Sequence, residues 1–134
     1  MALTALFRNT KVLQEMKFSL CSFSRCVIVA WIISICTVSY LSLIPVAELP
    51  IDFRWSDKLW HCLSYLWLSV LPFFGFIKVR KALTAAFLMI PLGFALEIIQ
   101  AFVPERLFSV WDMFANSFGA SIGIFCGRYL IRKR

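Results

Sequence analysis

"GFALEIIQAFVPERLFSVWDMFANSFGASIG", residues 93–123, joins two apolar segments through a short polar hinge. Each segment carries groups that hydrocarbon surroundings penalise: Glu97 and Gln100 before the hinge, Asp112 and Asn116 after it. Working outward, uncharged or nearly uncharged runs recur at about residues 27–44, 59–77, 82–103 and 109–128. Each is about the length that crosses roughly 30 Å of hydrocarbon at 1.5 Å per residue. The 134 residues are 61% hydrophobic with 14 Phe and 5 Trp, and the mean hydropathy is +0.84. A soluble domain of this size cannot cover so much apolar surface, because too much of a small domain lies at its surface. The expected fold is all-α: a polytopic membrane protein built as a four-transmembrane-helix bundle, with residues 27–130 as its membrane domain.

The formal net charge is +7, which in a soluble chain suggests a nucleic-acid partner. Position argues otherwise. Arg8, Lys11, Lys17 and Arg25 precede the first run, Lys78, Arg80 and Lys81 separate the second and third, and Arg128, Arg132, Lys133 and Arg134 follow the fourth. Those are 11 of the 14 basic residues, and Arg54, Lys58 and Arg106 occupy the other connections. If every run crosses, the asymmetry predicts both termini in the cytoplasm and no nucleic-acid partner.

Residues 1–26 form a basic segment before the spans. Leu3, Leu6, Phe7, Leu13, Met16 and Leu20 recur there at helical spacing among Arg8, Lys11 and Lys17, which fits a helix lying on the inner leaflet. A true start at Met16 fits the same residues equally well. Trp55, Trp60 and Trp111 cluster at the outer ends of the expected spans, where an indole keeps its ring in the interface and its N–H near water. Pro72 and Pro91 fall inside spans and are expected to bend them. Cys21, Cys26, Cys36, Cys62 and Cys126 form no CxxC pair and His61 has no second histidine, so neither a metal nor a cofactor is expected.

With this topology Glu97 lies roughly 10 Å from the turn at Pro104, His61 roughly 6 Å from Asp57 and Asn116 roughly 10 Å from Ser109, all in the outer half of the membrane. Residues three, four and seven apart share a helical face. Asp57, His61, Ser64 and Tyr65 make one stripe, Gly93, Glu97 and Gln100 a second, and Asp112, Asn116, Gly119 and Gly123 a third. Turning such a stripe to lipid costs about 2.5 to 3.5 kcal/mol for an acid at the helix centre, less nearer the interface. The stripes therefore face one another around a polar pocket that opens outward, with Lys58 and Arg106 at its rim.

Plainer readings stand beside this one. "SVWD" is a capping box that can account for Ser109 and Asp112, and Asp57 can cap the second helix. Gly119, Gly123 and Gly127 read as a helix-packing stripe. Lys58 and Arg106 read singly as snorkelling charges, Tyr65 as a packed aromatic, and Gln100 and Asn116 as interhelical hydrogen bonds. Glu97 has no cap role and sits well inside a span, so a functional role is its default reading.

"DKLWHCLSY" at 57–65 and "ALEIIQAFVPERLFSVWDMFANSFGASIG" at 95–123, within a four-span layout, resemble the VanZ-like family of small bacterial membrane proteins. The family pattern, roughly D-K-x-x-H and then E-x-x-Q…R-x-x-x-x-x-D-x-x-x-N-x-x-G, is met at Asp57, Lys58, His61, Glu97, Gln100, Arg106, Asp112, Asn116 and Gly119. The likeness covers about residues 27–127, and Glu105 stands where the family often has Gly before the motif Arg. It implies the bacterial cytoplasmic membrane, an envelope process and an association with teicoplanin, a glycopeptide.

Three functions follow as expectations. The first is non-enzymatic: Asp57, Lys58, His61, Tyr65, Glu97, Gln100, Arg106, Asp112 and Asn116 line a site for a lipid headgroup, a lipid-linked envelope precursor or a glycopeptide-related ligand. The alternative is a membrane enzyme acting on a lipid-linked substrate, with His61, Glu97 and Asp112 as candidate catalytic groups. A small-solute or proton pathway through Glu97 ranks last, since no repeat halves are visible.

Overall fold

The computed structural model describes residues 2–44, 56–104 and 108–133, with side chains from residue 21 onward and Ser56 as backbone only. Among these residues every regular element is a helix: α1 (Ala2–Leu43), α2 (Ser56–Val70), α3 (Pro72–Gly75), α4 (Val79–Phe87), α5 (Met89–Gln100) and α6 (Val110–Arg132). The outer loop with Arg54 and Trp55, and the hinge residues Glu105 and Arg106, lie outside the described residues.

The 42-residue α1 passes unbroken through residue 26, the expected boundary between basic segment and first span. At 1.5 Å per residue a helix of that length reaches about 63 Å, roughly twice the hydrocarbon thickness, so part of it projects beyond any bilayer core.

The second expected span, 59–77, is divided into α2 and α3. Pro72 has no N–H to give the carbonyl of Leu68, four residues back, and the chain resets at Leu71. The released Leu68 oxygen accepts instead from the Trp31 indole N–H of α1 at 2.8 Å. Proline thus frees an acceptor inside the bundle, and α1 takes it up. Trp31→Phe should cost about 1–2 kcal/mol by orphaning that carbonyl, and far less in a Pro72→Ala background, where an N–H can return to it. Thermal melting of both single variants and the double variant checks this; additive losses would show that the two features are unrelated.

The third span, expected at 82–103, is α4 and α5 joined at Leu88. Pro91 cannot donate to Phe87, but Leu88 N still bonds Thr84 O at 3.0 Å and Leu92 N bonds Leu88 O at 3.2 Å, so the helix bends without parting. It stops at Gln100 because Pro104 biases Val103 away from helical dihedrals. The exit tightens into three-residue bonds, Phe102 N to Ile99 O and Val103 N to Gln100 O, both 3.0 Å.

The helix α6 starts one residue after its N-cap, Ser109, whose hydroxyl accepts from Asp112 N at 3.3 Å. It lies closely along α2. A Cβ at Gly119 would strike the backbone carbonyl of Cys62, one at Gly123 would come within 2.5 Å of the Leu66 carbonyl, and one at Gly127 would enter the Phe73 ring. Gly119 and Gly123 let the α2 and α6 backbones meet nearly without side chains between them, and Gly127 makes room for the Phe73 ring of α3.

Several polar side chains face in beside the apolar core, and many large apolar ones face out. Glu97, Gln100, Asp112, Asn116 and Ser69 are buried, while Ile33, Trp67, Phe87, Phe114, Phe118 and Phe125 are exposed. Apolar side chains in such numbers find a favourable surround in lipid, not water. Among the described residues two stretches are long and apolar enough to cross a membrane, Cys21–Leu43 and Val79–Gln100.

Candidate functional site

The side chains of α2, α5 and α6 meet at one level. What permits the approach is Gly93 on α5: a Cβ there would come within 3.0 Å of the Tyr65 ring and 3.2 Å of Asn116 Cβ. Behind this contact Tyr65, Leu68, Met89 and Ala120 form an apolar core.

Glu97 is the centre of the group and is 1% exposed. Its Oε1 lies 4.0 Å from His61 Nδ1, the Ser109 backbone lies close enough to act on the carboxyl, and Oε2 has no hydrogen-bond partner among the described residues. His61 sits between acceptors on both sides. Nδ1 is 3.1 Å from Asn116 Oδ1, and Nε2 is 3.8 Å from Asp57 Oδ1, one turn earlier on α2. At the rim Lys58 Nζ pairs with Asp112 Oδ1 at 3.2 Å, and that oxygen receives no hydrogen bond. The Asp57 side chain is 66% exposed and that of His61 11%.

The capping box at Ser109 is therefore only half a box. The hydroxyl caps Asp112 N, but the Ser109 backbone lies beside Glu97 and the Asp112 carboxylate turns to Lys58. Capping explains Ser109 and leaves the Asp112 side chain to the site.

Two expected members also have ties elsewhere. Gln100 donates its amide to the Ser42 carbonyl at 2.7 Å and ties the end of α5 to α1. Tyr65 joins both regions: its ring packs in the apolar core and meets Gly93 beside Asn116, and its hydroxyl lacks a hydrogen-bond partner among the described residues. Arg106 lies outside the described residues. Ser69, fully buried with its hydroxyl unpartnered, was not singled out from the sequence, although its place four residues after Tyr65 continues the α2 stripe. A second arrangement also escaped a count of histidines: one oxygen each of Asp57 and Asp112 and one nitrogen of His61 lie within 4.8 Å of one another.

The VanZ/LLP1 family profile matches residues 6–132, nearly the whole chain. The chain belongs to the VanZ/LLP1 family. No curated protein and no solved structure matches it. VanZ/LLP1 membership together with the apolar stretches Cys21–Leu43 and Val79–Gln100 makes this a membrane protein. The profile takes in the α2, α5 and α6 residues of the polar group and also nearly all of α1.

Proposed function

We propose that this VanZ/LLP1 member is a four-span protein of the bacterial cytoplasmic membrane whose polar pocket, in the outer half, binds the headgroup of a lipid or lipid-linked envelope precursor. The observation that carries the reading is Glu97: a carboxylate buried in a membrane helix beside His61, with one oxygen left without a hydrogen bond. Such a group is costly to keep unless an occupant uses it. Lys58 at the rim, with Arg106, meets the anionic part of the headgroup, and Asn116 and Glu97 set its orientation. Any influence on glycopeptide susceptibility follows from that binding.

Native mass spectrometry of the protein released from mild detergent tests this. Wild type should retain a phosphate-bearing lipid that Lys58→Ala and Glu97→Gln lose, with folding intact. Equal retention by all three would sink the reading.

One observation favours catalysis as the second reading. His61 is oriented at Nδ1 by Asn116, 3.1 Å away and beside Glu97, while Nε2 makes no hydrogen bond to Asp57 at 3.8 Å, which leaves a positioned ring nitrogen for general acid or base work. Turnover of a lipid-linked substrate, abolished by both His61→Ala and Glu97→Gln, would put this reading first.

Orientation follows from the distribution of basic residues, with both termini in the cytoplasm. In a cysteine-free background, single cysteines replacing Arg54 and Arg106 should react with an impermeant thiol reagent added outside. Cysteines replacing Val79 and Arg132 should not react. Labelling at 79 without labelling at 54 would invert the pocket.

A further inference from the structure

Among the described residues, Asp57, Glu97 and Asp112 bring three carboxyl groups to the site, against the ammonium of Lys58 and the imidazole of His61. Lys58 already pairs with Asp112. A further cation beside these carboxyls would strengthen the hold on a phosphate.

We propose that Asp57, His61 and Asp112 bind a divalent transition-metal cation, and that this cation receives the anionic headgroup. Only the second half rests on the headgroup reading above.

The imidazole supplies the first argument. Acceptors crowd Nδ1, with Asn116 Oδ1 at 3.1 Å and Glu97 Oε1 at 4.0 Å. A proton on Nδ1 leaves the Nε2 lone pair directed towards Asp57, and a lone pair facing a carboxylate is repulsive unless a cation lies between them. Their 3.8 Å separation is too long for a hydrogen bond. It is close to the roughly 3.4 Å that two ligands about 2.1 Å from one tetrahedral metal would show. Metal-bound histidines commonly have their other nitrogen oriented by such an acceptor.

Glu97 supplies the second. It is 1% exposed, its Oε2 has no partner, and its carboxylate approaches His61 from the side opposite Asp57. A carboxyl so placed accepts from the imidazole and, when ionised, stabilises a cation on the far side of the ring. The three donor atoms lie within 4.8 Å of one another, so the widest pair must close by up to about 1.4 Å to reach that roughly 3.4 Å separation. Asp57 is exposed enough to turn inward. One nitrogen and two oxygens without a thiolate suit Zn2+ or Mn2+, and three protein ligands leave a position open for a phosphate oxygen. Lys58 holds Asp112 at 3.2 Å and must let go as the metal enters.

The test uses the full chain in phosphatidylcholine nanodiscs, stripped with chelator. Mn2+ is titrated by electron paramagnetic resonance, with Zn2+ as competitor. Saturable binding of one Mn2+ per chain is expected, weakened at least about tenfold by His61→Ala and Asp112→Asn and about tenfold by Asn116→Ala, which only orients the ring. Lys58→Met removes the competing ammonium and should tighten binding, a gain that misfolding cannot produce. No saturable binding of either metal, or binding indifferent to His61, Asp112 and Lys58, overturns the cation site. Retention of phosphatidic acid is then compared with and without EDTA. Loss with EDTA supports the coupling. Retention that ignores EDTA but needs Lys58 overturns the coupling and leaves the headgroup reading standing. Metal binding with no phosphatidic acid retained under either condition overturns the headgroup reading and leaves the cation site.

Discussion

Gly119→Val is expected to leave no folded protein in detergent, and Gly119→Ala to lose about 3 kcal/mol. The position has no slack: a Cβ would collide with the Cys62 backbone carbonyl of α2, and a carbonyl inside a helix cannot move aside as a side-chain tip can. Overpacking a well-packed interior costs about 1–3 kcal/mol, occasionally more, and the rigid neighbour puts this case at the upper end. Separation of α2 from α6 would also pull His61 from Asn116, so structure and site fail together. Ser121→Ala is the control. Its hydroxyl is exposed and bonds back to Ser117 O, so its effect should stay within about 0.5 kcal/mol. Melting followed by tryptophan fluorescence decides; a Gly119→Ala protein as stable as Ser121→Ala would mean that α2 and α6 do not pack in this way.

Glu97→Gln should separate stability from function. The amide keeps an oxygen on the side of the Ser109 backbone and replaces a buried carboxyl whose Oε2 has no hydrogen-bond partner among the described residues. Buried unsatisfied groups cost about 1–3 kcal/mol, so the variant should melt at the wild-type temperature or a few degrees above it. Headgroup retention should fall about tenfold or more, as is common where a destabilising residue serves a site. A lower melting temperature with retention unchanged would make Glu97 a structural residue and remove the main support for the pocket.

How much of this was legible beforehand depends on the kind of information each residue carries. The three polar stripes could be read because side chains three and four apart share a face whatever the surroundings. Asp57 and His61 on α2, Glu97 on α5, and Asp112 and Asn116 on α6 do lie against one another. The all-helical class was legible from the long apolar runs. Gln100 was harder. It shares a face with Glu97 by spacing, but its longer side chain reaches the Ser42 carbonyl of α1, a partner 58 residues away that no local periodicity indicates. The Trp31 bond to Leu68 is hidden in the same way. Pro72 announced a bend, not who would take the acceptor it frees. The half-used capping box was invisible because the motif reads the same whether the Asp112 carboxylate folds back or turns to Lys58.

This placement of side chains has one more consequence. Phe114, Phe118 and Phe125 point away from the bundle, while Asp112, Asn116, Gly119 and Gly123 on the same helix point into it. The outer surface records which solvent the protein lives in; the buried polar groups lie on the inner one. Exchanging the outward residues for polar ones of similar size would change the medium in which the bundle dissolves while leaving its interior untouched. This is a route to studying the site in water, free of the bilayer.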